Sequence, residues 1–142
     1  MTIAEVVSAL QNDQPIVVRD KTFKVSTLEE IVLDTGEIVF WAHARDGLWL
    51  SVDPGSEEIK MFEDIDEEIE PEDDTVVYGG DDYEFSYEGS ATLKDDEAGG
   101  AIRFREFENA NGNIVRITEY EATADVHSAY GNVLTEEEIQ EA

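Results

Sequence analysis

Apolar residues recur along the chain at two intervals, and the change from one to the other divides it. Ile3, Val6, Val7 and Leu10 share a helical face, and Thr2 followed by Glu5 has capping-box spacing, which predicts a short amphipathic helix ending before Asn12. From Ile16 onward the interval is two, with β-branched and aromatic residues between turn-forming ones. This pattern predicts strands over 16–19, 22–26, 29–34, 37–45, 48–53 and 58–62, then over 75–78, 83–87, 90–94, 101–109, 113–121 and 123–128. Thr135 and Glu138 repeat the capping-box spacing and predict a terminal helical turn through Ile139. The expected fold is one mainly β domain over 1–142, an antiparallel sandwich or flattened barrel.

Two turn signals fix expected registers. Asp46-Gly47 favours a two-residue hairpin loop, which pairs Arg45 with Leu48, His43 with Leu50 and Trp41 with Val52. Val39, Trp41, His43, Leu48, Leu50 and Val52 then form one core face, and Ala42 and Ala44 leave room for the Trp49 ring on the other. A three-residue loop at 111–113 pairs Arg105 with Glu119, Arg103 with Glu121, Glu108 with Arg116, Phe107 with Ile117 and Phe104 with Tyr120. Such charge and aromatic pairs contribute roughly 0.2–1 kcal/mol each and favour this register over a two-residue loop that strands both aromatics.

The two strand sets resemble each other. Phe23-Lys24-Val25-Ser26 matches Tyr83-Glu84-Phe85-Ser86, Ile31 and Leu33 match Ala91 and Leu93, 39–41 matches 102–104, and 48–50 matches 114–116. The pattern reads as a diverged duplication with halves at about 16–62 and 75–134. Between them, 57–74 carries eleven carboxylates and one cation, Lys60, and reads as a solvated acidic connector. Calcium binding would call for a D-x-D-x-D-G loop, and no glycine falls between Asp64 and Asp74.

Charge narrows the partners. With 36 Asp and Glu against nine Lys and Arg, the formal net charge is −27, so phosphate backbones and anionic membrane surfaces are repelled. The cations are scattered, so direct nucleic-acid contact is not expected. The amino terminus has no basic leader and carries Glu5 among its apolar residues, and no apolar run nears the roughly 20 residues a membrane span needs. A soluble, cytoplasmic protein is expected. Without cysteine, disulfides and thiolate chemistry are excluded. Only four lysines accompany the acidity, as in proteins adapted to high salt.

No constellation identifies a reaction, and a non-enzymatic protein without cofactor or bound metal is expected. Serine-nucleophile spacing is absent, and the glycines at 79–80 and 99–100 lack phosphate-loop spacing and read as turns. His43 and His127, the two histidines, could meet each other or Glu106 in a metal site or acid–base pair, although a core role is the preferred reading. Trp41, Trp49, Tyr78, Tyr83, Phe85, Phe104 and Tyr120 could line a barrel mouth, but such sets more often fill a core. Trp41, His43 and Trp49 are the candidate ligand-binding residues.

Phe23-Lys24-Val25, Ile31-Val32-Leu33, Val39-Phe40-Trp41 and Trp49-Leu50-Ser51-Val52 form a succession that resembles the prokaryotic family called domain of unknown function 4178. Phe107-Glu108, Ile117-Thr118-Glu119-Tyr120 and Gly131-Asn132-Val133-Leu134 extend the resemblance over most of the chain. It implies a β-rich, non-catalytic fold and assigns no site residue. Three functions follow as expectations: a module that binds another protein or itself, an acidic DNA mimic that occupies a nucleic-acid-binding cleft, or a binder of a small ligand held between the halves.

Overall fold

The computed structural model describes residues 1–94 and 100–142, so the turn expected at 95–100 lies, apart from Gly100, outside the described residues. Helix α1 (Ile3–Gln11) begins at the expected capping box: the Glu5 N–H donates to Thr2 Oγ1 at 3.2 Å, and the Thr2 N–H donates to the Glu5 carboxylate at 3.0 Å. Strands follow as β1 (Ile16–Val18), β2 (Lys21–Phe23), β3 (Thr27–Leu33), β4 (Ile38–His43), β5 (Leu48–Asp53) and β6 (Glu58–Ile65). The second set is β7 (Thr75–Tyr78), β8 (Asp81–Leu93), β9 (Ala101–Glu108), β10 (Asn113–Tyr120) and β11 (Asp125–Leu134). The expected terminal helix is a single 3₁₀ turn, Glu136–Glu138, and Ile139 instead opens strand β12 (Ile139–Glu141), which pairs with β1.

The fold is mainly β, and its large sheet closes on itself. Strands run β3-β4-β5-β6-β11-β10-β9-β8, and Ile31 and Leu33 of β3 then pair with Leu93 and Ala91 of β8, which completes an antiparallel ring of eight strands. Closure removes the edges that an open sandwich would expose. β7 adds to the outer part of β8, while β12-β1-β2 forms a separate three-stranded sheet. Ile31 and Leu33, matched in sequence to Ala91 and Leu93, exchange partners across this seam as a two-fold axis would arrange them. The match of 48–50 to 114–116 does not preserve faces, because Trp49 points inward and Val115 outward.

Burial separates three cores. One contains residues from all eight ring strands, among them Ile31, Trp41, Trp49, Phe62, Ala91, Phe104, Ile114 and Ala129, and therefore occupies the lumen. A second lies between the outer face of β4 to β6, through Phe40, Ala42, Leu50, Val52 and Ile59, and the layer made by α1 and the small sheet. A third covers the outer face of β9 to β11, where Phe107, Val115 and Ile117 meet Val76, Tyr83 and Ile69. Ile69 is buried, so the acidic connector is not simply solvated: β6 extends through its first part, and the remainder is pinned to the barrel wall. Among the described residues no helix is long and apolar enough to cross a membrane.

Both hairpin registers depart from expectation. At the first turn His43 faces Trp49, Trp41 faces Ser51 and Phe40 faces Val52, one position from the expected pairing. The loop holds three residues, with Gly47 at φ 87° and the Leu48 N–H donating to Asp46 Oδ1 at 3.2 Å. A shift of one reverses faces in one strand relative to the other. Trp49 and Ser51 thus join Trp41 and Val39 inside, Leu48, Leu50 and Val52 pack outside beneath α1, and Trp49 is surrounded by rings where small alanines were expected.

At the second turn the loop has the expected three residues but lies one position earlier, at 110–112, and the Asn109 N–H donates to the Asn113 carbonyl at 3.0 Å. Arg116 therefore faces Glu106 where Glu108 was expected, Arg105 faces Ile117, Phe107 faces Val115 and Phe104 faces Thr118. Of the proposed ion pairs, Arg103 with Glu121 forms, diagonally, at 3.3 Å.

Candidate functional site

Alternation along three strands delivers three charges to the lumen. Lys60 lies between outward Ile59 and Met61, Glu106 between outward Arg105 and Phe107, and Arg116 between outward Val115 and Ile117. Glu106 and Arg116 are direct cross-strand partners, whereas Lys60 reaches Glu106 across the lumen. The Lys60 ammonium donates to Glu106 Oε1 at 2.6 Å and lies 3.1 Å from Glu58. Arg116 Nε approaches Glu106 Oε2 to 3.3 Å, close enough for an ion pair but without hydrogen-bond alignment.

Four rings enclose the guanidinium. Its carbon stands 4.3 Å from the centroid of Phe104, 4.9 Å from Trp41, 5.5 Å from Phe62 and 5.6 Å from Trp49. Cation–π attraction at these distances supplies part of what water gave the charge. It does not satisfy the donors: Arg116 Nε and Nη1 and both indole N–H groups are buried with no hydrogen-bond partner among the described residues. Burial draws the Arg116 pKa down from the usual arginine value, opposed by the Glu106 charge. For Lys60, burial also acts downward, yet the carboxylates of Glu106 and Glu58 outweigh it and hold the ammonium above the ordinary lysine range.

That raised value has a sign. Folded Lys60 keeps its proton at a pH where the unfolded chain has lost it, so its stabilisation is complete below the unfolded lysine pKa and disappears as pH rises through the folded one. Tyr120, pushed up to about 12 by burial and by Glu29, acts in the same direction, because the unfolded chain ionises first. We therefore expect the urea midpoint to fall between pH 9 and 12, and a shallower fall in Lys60→Met. An equal slope in the variant would remove Lys60 from this account.

A cavity of about 150 Å³ opens beside the cluster, lined by Arg116, Lys60, Ser51, Tyr87, Val39 and Phe104, with Asp53, Ser56 and Glu58 also in its wall. This is about the volume that admits one benzene-sized molecule in an engineered protein cavity. None of the three residues expected to bind a ligand is in the cavity wall: Trp41 and Trp49 lie behind it, touching Arg116 and each other, with centroids 5.8 Å apart. His43 lies against the Trp49 ring at 5.4 Å and its Nε2 is 2.7 Å from Glu29, so the structure puts it with Glu29 and not in the cavity wall.

The expected meeting of His43, His127 and Glu106 does not occur. His127 is exposed against the edge of Tyr120, and Glu106 is occupied by Lys60 and Arg116. No group of three or more His, Asp or Glu residues suited to a metal is found among the described residues, the acidic connector included. Of the aromatic set, Trp41, Trp49 and Phe104 line the lumen, Tyr120 packs against its core, and Tyr78 and Tyr83 belong to the outer cluster.

The sequence offers Glu106 only as a partner for the histidines, and its meeting with Lys60 and Arg116 was missed. The available signal was a charged residue at an inward position of an alternating strand, as at Lys60 between Ile59 and Met61. Arg116 was hidden because the late loop placement assigned it to Glu108. The chain matches no protein-family model, no curated protein and no solved structure.

Proposed function

We propose that this protein binds a small organic molecule in the lumen of its barrel and catalyses no reaction on it. The observation that carries this reading is the cavity wall itself: a buried guanidinium boxed by four rings, together with the Lys60 ammonium, borders a space of ligand size. Small-ligand sites combine apolar walls with a few converging polar groups in this manner, and barrel mouths are a common place for them. The residues are preorganised by strand geometry, so binding requires little ordering.

A panel of neutral, anionic and cationic aromatic and short-chain compounds, followed by intrinsic fluorescence, tests the reading, since both tryptophans of the chain contact Arg116. Saturable changes are expected for at least one class, and Ser51→Leu, which fills the cavity from β5, should abolish them while the variant remains folded. Signals that survive Ser51→Leu unchanged would place binding elsewhere.

A second reading, association with a basic protein, draws on a different observation. Residues 61–93 carry thirteen carboxylates and no Lys or Arg, and this stretch also exposes Val77 and Phe85 on β7 and β8. A basic nucleic-acid-binding cleft is one such partner. Its signature is association that weakens steeply with salt.

A further inference from the structure

A groove of about 370 Å³ opens on the outer wall of the barrel, where the chain leaves β6. Tyr78 of β7 and Tyr130 of β11, both half-buried, line it with ring centroids 5.5 Å apart and planes inclined at 44°. Glu63, the direct partner of Tyr130 on β6, stands in its wall with Asp64, Asp66 and Glu67, and all four are exposed. No Lys or Arg lines this space, and among the described residues none of the four carboxylates has an ion-pair partner. Arg45, on the hairpin whose Gly47 carbonyl accepts from the Asp64 N–H, lines a different cavity. We infer that this groove docks an arginine from a basic segment of a partner protein, with the guanidinium against the Tyr78 and Tyr130 rings and its N–H groups donating to the carboxylates beside them.

The inference rests on the second reading above, association with a basic protein, and names the contact. Uncompensated carboxylates attract any cation, but the paired rings discriminate among cations. A planar guanidinium stacks on an aromatic face and presents a fork of donors to carboxylates, whereas an ammonium offers a compact, strongly hydrated point charge. A divalent cation would need converging oxygens, and no group suited to a metal is found among the described residues. The net charge of −27 draws a basic partner in and drives two copies of this chain apart.

Blocked Gly/Ser peptides that carry arginine in one and lysine in the other at the same positions, titrated calorimetrically into the full chain at low salt, test the inference. The arginine peptide should bind the wild type roughly two- to fivefold more tightly than the lysine peptide, as expected for cation–π contact at an exposed site. Tyr130→Leu, which keeps an apolar contact with the outer core, should remove that preference. The paired change Asp66→Asn with Glu67→Gln alters exposed residues and should weaken both peptides more than Asp73→Asn with Asp74→Asn, which removes the same charge outside the groove. Equal affinity for the two peptides, a preference that survives Tyr130→Leu, or equal effects of the paired changes would overturn the groove and leave association with a basic protein resting on general charge attraction. Failure of both peptides to bind would overturn the association itself. Dimers of the chain alone that Tyr130→Leu dissociates would give the groove to a second copy and overturn the basic partner.

Discussion

Glu106→Ala should cost the fold about 3–5 kcal/mol, the usual result of removing one partner from a buried ion pair. Among the described residues, the variant leaves Arg116, whose side chain is 5% exposed, with no anion within ion-pair distance, and Lys60 with Glu58 alone. Against a total stability of 5–15 kcal/mol typical of folded domains, this is a large fraction. The converse also follows. Replacing Glu106 and Arg116 together by Leu and Met should cost much less than the sum of the single changes, because apolar residues of similar volume often substitute for a buried pair at little cost. Urea denaturation of the two single variants and the double variant measures the coupling. Additive losses would mean that the charges do not act as a unit.

Gly131→Ala should be as damaging, for a steric reason. A Cβ at this position would lie 1.8 Å from the carbonyl oxygen of Met61, so the β6–β11 pairing, one of the two seams that join the meanders, would have to move apart. The obstacle is backbone, which cannot turn aside as a side chain can. The loss should reach at least about 3 kcal/mol, the upper part of the range for overpacking. Gly55→Ala is the control: its nearest atoms would lie 3.5 Å away, an ordinary contact, and the change should stay within about 0.5 kcal/mol. Comparable denaturation midpoints for the two variants would show that β6 and β11 are less closely apposed than described.

What the sequence revealed depended on how far each interaction reached along the chain. The capping box at Thr2 and Glu5, and strands β5 and β7 with their observed bounds, are local and were legible. Turn lengths were less so. Asp46-Gly47 signals a hairpin but is compatible with a loop of two or three residues, and that difference reverses which residues enter the lumen.

The residue pattern predicts two strands, 83–87 and 90–94, where the structure has the single strand β8, and Gly89 falls in the gap between them. The residue is small because the Phe104 ring lies over it, where a Cβ would come within 2.5 Å. The site was least legible of all. Lys60 and Glu106 are 46 positions apart, and alternation states only that each faces inward, not that closure of the barrel brings them together. Trp41 and Trp49 were found as candidates because rings in alternating strands are conspicuous, while the charge they enclose sits on a strand whose register was two positions out.

The most direct test of the lumen as a binding site is a nitrogen-15 NMR titration with whichever panel compound binds most tightly, following the indole N–H signals of Trp41 and Trp49 and the Nε–H of Arg116. All three groups are buried without a hydrogen-bond partner among the described residues. We predict that they shift together, with one saturation curve, and that exposed residues such as Val77 and Val126 remain unmoved. Indole and guanidinium signals that stay fixed while surface amides shift would contradict a ligand site inside the barrel.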